Sequence, residues 1–77
     1  MVLDGWQGNP YGHVAYVESV QGKNKWTISH ANTGIGNVFA KLDGVQIRKT
    51  GCQRITEGHI AFPGSEASYK LIGFLTS

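Results

Sequence analysis

The chain has 77 residues and a formal net charge of +2, with its seven lysine and arginine residues scattered along the sequence. This distribution argues against nucleic-acid binding, which needs a clustered basic surface, and no apolar run of about 18 residues indicates a membrane span. A single cysteine excludes an internal disulfide, and the length allows one domain at most.

The glycines, together with short β-branched and aromatic runs, indicate a mainly β fold. In chain order, the predicted strands are residues 1–4, 13–20, 25–31, 38–40, 45–47, 59–62 and 68–75. Several are brief, and the expected architecture is an antiparallel sheet of about five to six short strands. Two segments are predicted as loops: residues 5–11, with Trp6 partly exposed, and the polar residues 49–58, which contain Cys52.

His13 begins the strand around which the rest of the sequence is arranged, directly after a bend at Tyr11-Gly12. Successive side chains of a strand point to opposite faces, so one face of this strand is predicted to carry His13, Ala15 and Val17. The strand that returns after the hairpin turn is predicted to carry on one face Trp26, Ile28, His30 and Asn32.

The position of the hairpin turn decides which residue of the returning strand meets His13. A two-residue loop at Gly22-Lys23 places Asn32 directly opposite His13 and His30 diagonal to it, whereas a loop at Lys23-Asn24 places Asn32 diagonally. Asn32 is a neighbour of His13 in both registers. An imidazole at a strand end beside such a partner is suited to proton transfer near neutral pH.

Two motifs carry a resemblance to a known family. Tyr-Gly-His-Val-Ala-Tyr-Val at 11–17 and Trp-Thr-Ile-Ser-His-Ala-Asn at 26–32 resemble the second half of a CHAP domain, the cysteine- and histidine-dependent amidohydrolase/peptidase family of the papain-like group. Residues 69–75 are similar to the family's last strand, and residues 2–5 to the strand ahead of its catalytic histidine. The chain, residues 1–77, is thus expected to be a single partial CHAP-like domain that resembles the β-half of the papain-like fold.

The resemblance implies a cysteine amidase or endopeptidase that hydrolyses amide bonds in bacterial peptidoglycan. By its place in the motif, His13 matches the catalytic histidine, and Asn32 matches the asparagine that follows the third catalytic position. His30 stands where many members carry a glutamate or another polar residue, and Asn32 is the preferred orienting residue because its side-chain oxygen can accept a ring N–H. The expected substrate-binding residues are Trp6, Tyr11 and Gly12.

The family keeps its nucleophilic cysteine on the first turn of a helix, in a part of the domain that would precede Met1. Cys52 is the alternative nucleophile, but it follows the histidine in sequence and no helix follows it to lower the pKa of its thiol. A metal site built from His13, His30 and His59 is disfavoured by their spacing. No metal or other cofactor is therefore expected, and this chain by itself is expected to lack the nucleophile.

The alternative function is a non-catalytic β-rich module that binds cell-wall fragments or a protein. The expected partners are peptidoglycan or a peptide substrate, together with a missing N-terminal half or a second copy paired through an open sheet edge; neither nucleic acid nor a membrane is expected. The family's members are secreted, periplasmic, associated with the cell wall or encoded by phages, whereas the sequence itself carries no targeting signal.

Overall fold

The computed structural model describes residues 1–6, 11–65 and 67–75, and these residues form eight strands in one antiparallel sheet. The strands are β1 Val2–Asp4, β2 His13–Val14, β3 Tyr16–Gly22, β4 Lys25–His30, β5 Asn37–Leu42, β6 Val45–Thr56, β7 His59–Ala61 and β8 Ser68–Gly73. The mainly β, antiparallel fold class is confirmed, with more strands than the number expected. The part of the predicted first loop at residues 7–10 lies outside the described residues.

The sheet closes on itself through the stretch of chain that contains β2 and β3. The strand order is β2-β1-β8-β7-β6-β4-β3, and only Ala15 separates the two outermost strands in sequence. Leu3 of β1 pairs with His13, while Ser29 of β4 pairs with Tyr16. One continuous stretch therefore pairs with β1 along its first part and with β4 along its second part.

The predicted alternation along this stretch is observed. Ala15 is 6% exposed, whereas Val14 and Tyr16 on either side of it are 66% and 71% exposed. The inner face of the curved sheet is therefore the core, and its buried apolar side chains are Met1, Leu3, Trp6, Ala15, Trp26, Ile28, Cys52, Ile60 and Phe62.

The hairpin between β3 and β4 combines the two registers considered from the sequence. It turns at Lys23-Asn24, with Gly22 paired to Lys25, but two register shifts bring Tyr16 opposite Ser29. The pairing of Tyr16 with Ser29, at the end far from the turn, is the register that a loop at Gly22-Lys23 would produce. Extended by three residues, this register would place His13 opposite Asn32. β4 itself ends at His30.

The prediction of a surface loop at residues 49–58 is wrong for most of its length. β6 runs without a break to Thr56, and Cys52 within it is buried. The strand is paired with β4 along one edge and with β5 and then β7 along the other. The polar side chains of this segment do not show the alternation that identifies a strand from sequence. Backbone pairing on both edges nevertheless stabilises it as a strand, because β propensity depends strongly on context.

The connection between β4 and β5 has to cross β6, because β4 and β5 pair with opposite edges of that strand. Gly36 makes the crossing with φ near 99°, and a Cβ atom there would lie 2.7 Å from the Lys49 carbonyl oxygen. A larger residue would collide with the β6 backbone, so a glycine is required at this position.

We predict that Gly12→Ala destabilises the fold more than Gly44→Ala, although both glycines have positive φ angles of 90° and 82°. A Cβ at Gly12 would lie 2.8 Å from the Leu3 carbonyl oxygen, whereas no atom lies within 4 Å of one at Gly44. Gly44→Ala should cost about 1 kcal/mol for its backbone conformation, and Gly12→Ala at least about 3 kcal/mol with the added clash. Urea unfolding of the two variants measures the difference, and equal losses would contradict the close approach of Gly12 to β1.

Candidate functional site

An open cavity of about 400 Å³ lies where β1, β2 and the end of β4 meet. Four of the residues singled out from the sequence line this cavity together: Tyr11, Gly12, His13 and Asn32. Asp4 adds a carboxylate to the lining, and Tyr11 is 94% exposed. Closure of the sheet brings these segments together. β2 pairs with β1, and β3, which continues the same stretch of chain, pairs with β4.

His13 is joined to His30 by a hydrogen bond of 3.0 Å between Nε2 of His13 and Nδ1 of His30. The other ring nitrogen of His30, Nε2, lies 2.9 Å from the Ile35 carbonyl oxygen. A carbonyl oxygen only accepts, so His30 carries its proton on Nε2 and its neutral ring accepts at Nδ1. His13 therefore donates from Nε2 and keeps a lone pair on Nδ1.

Trp6 supports the His13 ring from one face. The two rings are stacked, with centroids 4.0 Å apart and planes 9° from parallel. Phe62 and Tyr69 contact the indole in turn, so the ring that orients His13 is itself packed in the core.

The prediction that Trp6 is partly exposed is wrong, since only 6% of it is exposed. It lies beneath His13 instead of forming a wall of the cavity, because packing so large a ring in the core removes much apolar surface from water. Its Nε1 is buried without a hydrogen-bond partner among the described residues.

Asn32 shares the cavity with His13 but adopts a positive φ of 59° just after β4 ends. Among the described residues, the ring of His13 is hydrogen-bonded by His30 and not by Asn32. The geometry thus gives the orienting contact to His30, which is buried at the last position of β4. A catalytic role for Asn32 stays a prediction, now based on its place in the cavity.

The surroundings of both histidines favour their neutral forms. Burial, and next the proximity of His30, lowers the pKa of His13 to about 4. Burial is also the main cause that lowers the pKa of His30; the Arg48 charge acts in the same direction, and the hydrogen bond with Ile35 opposes them. Because the unprotonated rings are favoured, the pair presents a neutral imidazole that keeps a lone pair on Nδ1, which is the form that accepts a proton in general base catalysis.

Cys52 is remote from this pair and chemically inert. It is paired with Trp26, four residues before His30 on β4, which corresponds to about 13 Å along a strand. The residue is 2% exposed, and burial raises the pKa of its thiol to about 12. A thiolate is needed for attack, so Cys52 packs in the core and does not serve His13 as a nucleophile.

His59 lies on β7, paired with Lys70, and its Nδ1 is 3.4 Å from the Glu57 carbonyl oxygen. In the part of the chain that the structure describes, no three or more histidine, cysteine or acidic side chains are grouped so as to hold a metal ion. The same residues contain no helix long and apolar enough to cross a membrane.

Two contributors to the site carried no local signal in the sequence. The Ile35 carbonyl is a backbone group in a bend, and any residue supplies one. Arg48 could have been identified only if residues 45–56 had been recognised as one strand, since its pairing with His30 follows from that register.

The chain matches no protein-family model, no curated protein and no solved structure.

We predict that His13 titrates with a pKa of about 4 and that its neutral ring carries the proton on Nε2. Burial opposes the charged form of the ring and so lowers its pKa. The proton stays on Nε2 because that N–H donates a hydrogen bond to His30. A pH titration of the ring nitrogens by ¹H–¹⁵N NMR measures both quantities. An ordinary pKa near 6.5, or a ring protonated on Nδ1, would contradict the assigned hydrogen-bond chain.

We also predict that acid destabilises the fold through this pair. Because the folded-state pKa of His13 is lowered to about 4, the unfolded chain binds protons more readily below about pH 6.5. This contribution is fully present above that pH and declines as the pH falls toward 4. Urea unfolding between pH 7 and pH 4 should show a smaller loss of stability for His13→Gln than for the wild type, and equal losses would contradict the prediction.

Proposed function

We propose that the chain is the C-terminal part of a CHAP-type cysteine amidase or endopeptidase that hydrolyses amide bonds in bacterial peptidoglycan. The observation that supports this most directly is the restraint of His13. Its ring is stacked on Trp6 and hydrogen-bonded through Nε2 to His30. His13 also lines the open cavity, and its Nδ1 is unprotonated. A base held by an orienting group is the arrangement that activates a nucleophile.

The nucleophile is a cysteine outside these residues, since the single thiol of the chain is buried in β6. In the proposed reaction the thiol proton moves to His13 Nδ1 as sulfur attacks the amide carbonyl carbon. The leaving amine takes that proton when the C–N bond breaks, which leaves an acyl-enzyme. Water then attacks the acyl group while His13 accepts its proton, and the thiol is regenerated with release of the carboxylic acid product.

The low proton affinity of His13 shapes this sequence of steps. In this chain, burial lowers the pKa of His13, which favours a neutral resting imidazole over an imidazolium. Proton transfer is thus coupled to attack on the carbonyl, and the proton passes readily to the departing amine. The acid limb of the pH–rate profile is expected to lie below the ordinary histidine pKa.

The size and lining of the cavity also support the proposal. Its volume of about 400 Å³ lies in the range of small-molecule and cofactor sites, which is roughly 300–1,000 Å³. Asp4, Tyr11 and Asn32 provide polar groups around His13, and peptide stems of peptidoglycan carry amides, amines and carboxylates that such groups recognise.

A non-catalytic binding module is the second candidate, and the β5–β6 hairpin favours it. β5 pairs only with β6, so its other edge is unpaired among the described residues. The hairpin also exposes apolar side chains, namely Val38, Phe39, Leu42 and Val45. An unpaired edge with apolar neighbours recruits a further strand, from a partner or from a second copy.

We predict that hydrolysis appears only when a separate CHAP-type N-terminal half with its helix-borne cysteine is supplied. Release of labelled fragments from peptidoglycan should be absent with the chain alone and present with the two parts together. His13→Ala should reduce the rate at least about 100-fold, since it removes the general base.

His59→Ala and Cys52→Ala serve as controls, because both residues lie outside the site, and each should leave the complemented rate unchanged. Peptidoglycan binding that persists in His13→Ala, with no hydrolysis in any combination, would contradict the enzymatic proposal and establish the binding module.

A further inference from the structure

Arg48 and His30 are direct partners in the ladder between β4 and β6. Side chains in that relation lie within about 5.5 Å of one another at their Cβ atoms. Arg48 thus places a permanent positive charge beside His30, whose ring accepts the hydrogen bond from His13 Nε2–H. A second proton on His30 is disfavoured there, and the ring keeps its acceptor nitrogen.

The guanidinium also anchors the bend that carries the Ile35 carbonyl. Arg48 Nη1 donates to the Gly36 carbonyl oxygen at 2.7 Å, one residue beyond the carbonyl that accepts from His30. The Ile35 N–H donates to Thr33 Oγ1 at 3.0 Å. Gly36 also passes directly over the β6 backbone. The bend is therefore restrained by Arg48 of β6 and by the hydrogen bond between its own residues Thr33 and Ile35.

The guanidinium is held at the bend by one strong contact. Arg48 Nε is buried with no hydrogen-bond partner among the described residues, and an unsatisfied buried donor destabilises the folded state. The charge-assisted bond from Nη1 to the Gly36 carbonyl oxygen opposes that loss. The position of the guanidinium therefore depends on its contact with Gly36.

We propose that Arg48 is a positioning residue for the His13 base. By binding the Gly36 carbonyl oxygen, it orients the neighbouring Ile35 carbonyl toward His30. His30 in turn accepts the hydrogen bond from His13 Nε2–H. The order of contacts is Arg48, the bend at residues 33–36, His30 and His13. This inference deepens the proposed function and rests on it for the role of His13 as the base. The hydrogen-bond chain itself is measurable on the 77-residue chain without any hydrolysis.

The experiment follows the ring Nε2–H protons of His13 and His30 by ¹H–¹⁵N NMR, comparing the wild type with Arg48→Met. Methionine keeps the stem and removes the guanidinium. We expect exchange of the His30 proton with water to accelerate at least about tenfold, and the His13 proton to follow, while the backbone spectrum of β4 and β6 is retained. Arg48→Lys keeps the charge and a donor, and it should restore slow exchange in part.

Gln46→Ala is the matched control, since it removes only the weak 3.5 Å contact to Arg48 Nη2 and should leave both exchange rates unchanged. Thr33→Val tests the same chain independently if Arg48→Met fails to fold, because it frees the Ile35 N–H, and it should also accelerate exchange. Exchange rates within about twofold of the wild type in the folded variants would overturn the proposal.

The two proposals fail in different ways. In the complemented enzyme, Arg48→Met should lower kcat with KM unchanged, because Arg48 does not line the cavity. If the ring protons respond as expected but no combination hydrolyses peptidoglycan, the hydrogen-bond chain stands and the enzymatic function falls. If hydrolysis is found and the ring protons do not respond, His13 remains the base and Arg48 loses its role.

Discussion

The stretch that begins at His13 is shared between two strands, β1 along its first part and β4 along its second. This double pairing closes the sheet, and every other feature of the site depends on it. It brings the last residue of β4, His30, to the first residue of β2, His13, although they are 17 positions apart in sequence. It also forms the inner face on which the aromatic ring of Trp6 packs beneath the histidine.

Two buried side-chain N–H groups have no hydrogen-bond partner among the described residues, and both belong to residues beside the histidine pair. They are Nε1 of Trp6 and Nε of Arg48. Trp6 stacks on His13, and Arg48 is paired with His30. Natural proteins tolerate such local violations mostly at functional sites, and here both lie next to the histidine pair.

The same burial that restrains the histidines removes the one thiol from the chemistry. Cys52 lies on the inner face of β6, where desolvation raises its pKa, while desolvation lowers the pKa of His13. Both shifts favour the neutral form, as expected for an acid and a base in the same apolar interior. The chain therefore combines a histidine whose neutral form is favoured, at the lining of an open cavity, with an unreactive thiol in the core.

The sequence by itself determined the β class, the alternation from His13 to Val17 and the common face of Trp26, Ile28 and His30, because a period of two is a local property of the backbone. Only the tertiary structure decided the continuous strand β6, the burial of Trp6, and the choice of His30 over Asn32 as the partner of His13. These depend on pairing between segments far apart in the chain, on register shifts within the β3–β4 hairpin, and on the packing of an aromatic ring. No local pattern specifies them, since they arise when the sheet closes.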